Sequence, residues 1–154
     1  MAYVDDGRES MSARSGRAWI FGFAGRADAR EFRRWAPLLG FALLFALAAG
    51  LSRMVPWTGA GPIAGAAAVA LVSLTVRRLH DVGAGGWTVW LQLTLMAAMG
   101  LTGAAIHGHT VSLLVGEGLL GSMAVATVAL AIVIWRRVRR PGEAGANRFG
   151  PAPR

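Results

Sequence analysis

The chain has 154 residues, 55% of them apolar and 16% charged, with a formal net charge of +8. That apolar share, with a positive mean hydropathy, fits a membrane protein better than a small soluble domain. Cysteine is absent, which excludes a disulfide, a thiol nucleophile and a cysteine-based metal centre. All 16 basic residues are Arg, so their placement along the chain decides what the charge is for.

Residues 1–18, "MAYVDDGRESMSARSGRA", are polar and rich in Gly and Ser, which predicts a disordered tail. The stretch "GRADAREFRRW" (25–35) then sets the start of a helix. Asp28 followed by Glu31 fits a capping box, with Asp28 as N-cap and Glu31 at N3. Both acids also suit the positive end of the helix dipole. "APLLGFALLFALAAGLS" (36–52) continues the helix without a charge. A helix over 29–52 is about 36 Å long. It places Arg30, Arg33 and Arg34 among headgroups and Trp35 at the interface. The same stretch has some likeness to a twin-arginine export signal, but three more apolar runs follow, and such a signal has little use ahead of them. A soluble all-helical protein is a further alternative, against which stands the lack of a polar face on these helices.

Arg53 separates the first span from a second, expected over 60–80, whose densest part is "IAGAAAVALVSLTV". Gly61 and Gly65 have small-xxx-small spacing, and small residues recur at Gly100, Gly103 and Ala104. These predict close packing inside one subunit first and dimerisation second. The span ends in "RRLHDVGAGGW". Arg77, Arg78 and His80 sit at the negative end of the dipole, and Gly83, Gly85 and Gly86 permit a turn. Arg77 and Asp81 are four apart and can pair on one face. Trp87 and Trp90 open a third span over 87–106 at the interface. After the loop "HGHTVS" comes a fourth span, 113–135, with Glu117 as its only charge. Glu117 reads as an interfacial acid or as a group with a pathway or partner role. His107, His109 and Glu117 make a weak metal set, and neither a metal nor another cofactor is assigned.

Seven Arg precede residue 36, two stand at the end of the second span and six follow the fourth, leaving Arg53 alone on the other side. The positive-inside rule then puts both termini and the middle loop in the cytoplasm. That asymmetry accounts for most of the charge without nucleic acid. The expected fold is an all-α, four-transmembrane-helix bundle over 19–140 with both termini cytoplasmic. A cytoplasmic tail follows over 141–154.

On that cytoplasmic face Arg26, Arg77, Arg78 and His80 are candidate contacts for an anion or lipid headgroup. Asp28, Glu31, Asp81, Asn147, Arg148 and Phe149 are candidate structural contacts. The tail can turn at Pro141 and Gly142 and fold back under the bundle. Phe149 then packs on apolar surface, and Asn147 or Arg148 bonds Asp81 or free helix-end carbonyls. The alternative is a disordered tail. His80 and Asp81, adjacent on a helix, point about 100° apart and make a poor catalytic pair, so no catalytic residue is assigned.

"RRLHDVGAGGW" resembles a signature of the bacterial family called domain of unknown function 805. "FGFAGRADAREF" (21–32) is similar to that family's opening motif, and "GANRFGPAP" (145–153) to its closing one. Asp28 stands where the family usually has Ser or Thr, Arg33 and Arg34 where aromatics are common, and Ala84-Gly85 where a polar residue and Ser are usual. The resemblance implies a small, multi-pass bacterial inner-membrane protein and brings no activity, substrate or cofactor. Three functions follow as expectations. The first is a non-enzymatic membrane protein whose basic face binds anionic lipid or a protein partner. The second is a small oligomeric transporter or channel component. The third is a membrane enzyme acting on a phosphorylated or lipid substrate through His80, Asp81 and the nearby Arg residues.

Overall fold

The computed structural model describes residues 21–108 and 112–153. The expected disordered tail over 1–18 and His109 of the weak metal set lie outside the described residues. Four helices follow in chain order: α1 Ala29–Leu51, α2 Trp57–Asp81, α3 Trp87–His107 and α4 Leu113–Val138. All four are long and apolar enough to cross a membrane. Among the described residues there is no strand, only an isolated bridge between Asn147 and Gly150.

Local sequence explains the helix ends. Asp28 caps α1, its carboxylate accepting the Glu31 amide at 2.5 Å. The capping box is not reciprocal: Glu31 turns its own carboxylate to Arg77 on α2. Helix α2 starts at Trp57, ahead of the expected residue 60, with Pro56 at its N-cap at φ −57°. Helix α4 runs past the expected 135 to Val138. Its last turn then holds Arg136 and Arg137, cations at the negative end of a dipole.

The helices pair as two hairpins. Helix α2 buries Ala60, Ala64, Ala67 and Ala70, a stripe at helical spacing, and α1 buries Ala46, Ala49 and Gly50. The Trp57 ring lies over Gly50, where a Cβ would come within 3.0 Å of it. An alanine stripe, with Gly50 under the Trp57 ring, brings α1 and α2 together. The expectation of packing inside the subunit at Gly61, Gly65, Gly100 and Gly103 is corrected: among the described residues nothing outside the local helix lies within 4 Å of where their Cβ atoms would stand. Gly65, Gly100 and Ala104 are exposed, and Gly61 and Gly103 are half-buried.

Helices α3 and α4 form the second hairpin, tied midway by the Thr127 hydroxyl on Met99 sulfur at 3.5 Å. It joins the first hairpin at one end only. There Val76 and Leu79 of α2 pack with Val89 of α3 and Val138 of α4, flanked by Phe32, Val72, Ala84 and Ile134. The helices therefore do not close into a bundle along their length. Phe41, Leu44 and Phe45 on α1 and Val125 and Val128 on α4 stay exposed. That is an apolar surface suited to lipid rather than water.

A polar clasp at the joined end

Gly25, with φ +86°, turns the chain just ahead of α1. The turn sends Arg26 inward, where it is 7% exposed. Its Nε and Nη2 lie 3.0 and 2.9 Å from one oxygen of Asp81, the last residue of α2. Nη1 donates to the carbonyl of Gly145 at 2.6 Å, and Nη2 also donates to the carbonyl of Glu143. Both carbonyls belong to the C-terminal tail. Asp81 gives its other oxygen to Nη1 of Arg78. Arg78 in turn donates through Nε to the Val138 carbonyl at 3.0 Å and through Nη2 to the Arg140 carbonyl. One buried carboxylate thus lies between two buried guanidiniums, and backbone carbonyls take the donors that it cannot. Buried charges persist only when paired and hydrogen-bonded in this way.

The tail is held on its backbone as well. The Glu143 amide donates to the Asp81 carbonyl at 2.9 Å. Asn147 donates through Nδ2 to the His80 carbonyl at 2.9 Å and accepts the Phe149 amide at 2.9 Å. Arg148 donates to the Gly83 carbonyl at 3.3 Å. These carbonyls lie at or just past the end of α2, beyond the reach of a next helical turn; that of His80 also accepts the Gly83 amide at 3.1 Å. The Phe149 ring stacks on the His80 imidazole with centroids 3.9 Å apart and 5° between planes. The Arg148 guanidinium sits 4.7 Å from the Phe149 centroid. The tail crosses Asp81 at Gly142, where a Cβ would overlap the carboxylate.

The segment ahead of α1 is laid along α2. The Ala27 amide donates to the Arg77 carbonyl at 3.1 Å, and the Ser73 hydroxyl to the Gly22 carbonyl at 2.5 Å. Arg77 reaches the Glu31 carboxylate at 3.1 and 3.3 Å. His80 Nδ1 lies 3.2 Å from the Gly25 carbonyl. Phe23 meets Trp90 of α3 with centroids 5.4 Å apart.

The expected residues therefore converge, with changed roles. Arg26, Arg77 and Arg78 were expected to face an anion or headgroup. Their guanidiniums are instead turned inward and spent on Asp81, Glu31 and backbone carbonyls. The Asp81 partners are Arg26 and Arg78, not Arg77 or Arg148. Asn147 and Arg148 take helix-end carbonyls, and Phe149, expected on apolar surface, stacks on the His80 imidazole. Glu117 stands apart, exposed on α4 at the opposite end of the helices. Sequence reasoning gave no role to Ser73, a common residue in a long apolar run with no motif around it.

The fold and the clasp define a class: a small helical protein with four membrane-length helices, closed at one end by its own C-terminal tail. Within that class the chain belongs to the family described as Protein of unknown function (DUF805), whose model matches residues 20–151. The matched span takes in all three segments that meet at Asp81. Comparison with curated proteins and with solved structures returned no match.

Proposed function

We propose that the chain is a non-enzymatic, multi-pass protein of a bacterial inner membrane. Both termini lie in the cytoplasm, and the basic face around the clasp binds anionic lipid headgroups. One observation carries this reading. At the clasp end Arg30, Arg33, Arg34, Arg136, Arg139 and Arg140 are exposed, beside exposed Trp35, Trp87, Trp90 and Trp135. Arg34 lies over Trp35 at 5.4 Å and Arg139 over Trp135 at 4.2 Å. Indole rings mark headgroup depth, and Arg beside them is placed for phosphate. The clasp supports the reading from below, because it ties the end of α2 to the end of α4, with Phe32 of α1 packed on the same apolar cluster.

Topology is tested first. The chain has no Cys, so single substitutions can be probed in intact cells with an impermeant thiol reagent. Thr110→Cys is expected to label, and Ala84→Cys and Ala152→Cys are not. Labelling of either of the latter from outside would put the basic face on the wrong side.

Lipid binding is then measured on the full chain in nanodiscs of mixed phosphatidylglycerol and phosphatidylcholine. The protein is expected to enrich phosphatidylglycerol around itself, less so as salt rises. Changing Arg30, Arg33, Arg136 and Arg139 to Gln is expected to abolish most of that enrichment. Each basic side chain near the surface is worth about 1 kcal/mol toward anionic lipid. Equal retention of both lipids by the native chain would remove the proposal.

A further inference from the structure

Two charges lie in the apolar part of the chain away from the clasp. Arg53 is the only charged residue between 36 and 76, and Glu117 the only one between 87 and 135. Both are exposed. Neither forms an ion pair with another described residue. They sit at the same end of the helices but on different hairpins. Arg53 is in the α1–α2 turn, and Glu117 is about 7 Å along α4 from its N-cap Ser112. A carboxylate on an outward apolar helix face is costly in lipid and calls for a countercharge. Among the described residues the hairpins share their apolar cluster at the opposite end, and no ion pair joins these two groups within the chain.

Beside each charge runs a bare face of small residues. Gly61 and Gly65 lie in the half of α2 next to Arg53. Gly118 and Gly121 lie in the half of α4 next to Glu117. No described residue outside the local helix stands within 4 Å of a Cβ position at any of the four. Such faces let helix backbones approach closely. Lipid chains can cover them but leave Glu117 without a cation. A second copy of the chain supplies both surface and charge, because each copy has one cation and one anion to offer.

We propose that these faces meet in a twofold dimer of the chain. The α2 face of one copy packs on the α4 face of the other, and Arg53 of each copy pairs with Glu117 of its mate. A twofold axis along the membrane normal makes both pairs at once. The dimer rests on the membrane-spanning part of the proposed function and is independent of lipid binding.

Cross-linking in proteoliposomes tests it. One chain carries Gly65→Cys alone, and a differently tagged chain carries Gly118→Cys alone. Oxidation of the mixture is expected to give a disulfide-linked dimer bearing both tags. Adding Glu117→Gln is expected to cut that product about tenfold, and exchanging the charges as Arg53→Glu with Glu117→Arg to restore it. A mixture that stays monomeric overturns the dimer. A third chain carries both substitutions; a disulfide that forms only within single copies of it also overturns the dimer, since the hairpins then close on each other within one copy. A cross-link indifferent to Glu117→Gln also counts against it. Because cysteine itself can disturb a bare helix face, subunit counting by photobleaching on the chain without cysteine gives a second reading. Two steps are expected, and one step refutes. Failure here, with Thr110→Cys still labelling from outside, leaves the spanning topology intact.

Discussion

Asp81→Ala is expected to be the most damaging single substitution in the chain, lowering stability by about 3–5 kcal/mol. The carboxylate is 4% exposed and is the shared partner of Arg26 and Arg78, each 1% exposed at the side chain. Its removal leaves two buried cations facing each other with only carbonyl dipoles to hold them. Thermal denaturation in detergent micelles should show a midpoint lower by about 10 °C. Adding Arg26→Met and Arg78→Met to Asp81→Leu should recover part of the loss, because an apolar set removes the uncompensated charge. Recovery stays partial, since the carbonyls of Glu143, Gly145, Val138 and Arg140 then lose their donors. A single Asp81→Ala variant that melts within about 2 °C of the native chain would mean that the carboxylate is not the centre of the clasp.

Gly142→Ala is expected to release the tail while the helices stay folded. The methyl group it adds falls on the Asp81 carboxylate, which two guanidiniums hold in place. Overpacking a rigid site typically costs about 1–3 kcal/mol. The tail can relieve that cost by leaving. Trypsin cleavage after Arg148 reads the change directly, because in the docked tail this residue is tied to the Gly83 carbonyl and stacked by Phe149. Cleavage should become at least several-fold faster in Gly142→Ala. Phe149→Ala should act in the same direction and more weakly, losing a ring stack worth about 0.5–1.5 kcal/mol beyond its buried area. Gly145→Ala is the control: nothing lies within 4 Å of a Cβ there, so its cleavage rate should match the native one. Equal rates for Gly142→Ala and Gly145→Ala would sink the docked-tail geometry.

The clasp also explains how a chain of this size holds two weakly joined hairpins. The shared apolar cluster is small, consisting of Val76, Leu79, Val89 and Val138 with a few neighbours. Arg78 adds a polar pin between the end of α2 and the end of α4. Arg26 adds another between the segment ahead of α1 and the tail. Near the joined end, where polar groups are expected to be plentiful, such pins cost less than they would at the bilayer centre.

Four apolar runs, each long enough for a membrane helix, determined the helices, since span length is a property of local composition alone. Asp28 determined where α1 begins, because an N-cap needs only its own next few amides. The family was legible too, in three short segments spaced along the chain. What the sequence could not decide was which charges meet. Arg26, Arg77 and Arg78 read as a basic patch because neighbours in sequence show their sign and not their partners. Asp81 is 55 residues from Arg26, and only the return of the segment ahead of α1 along α2 joins them. The same limit hid the packing face of α2. Gly61 and Gly65 looked like the contact, yet the chain uses Ala60, Ala64, Ala67 and Ala70. Both stripes have helical spacing, and only the position of α1 chooses between them. Closure into a bundle was likewise beyond the sequence, because apolar helices in lipid gain nothing from burial alone, and their pairing follows from shape and hydrogen bonds at specific contacts.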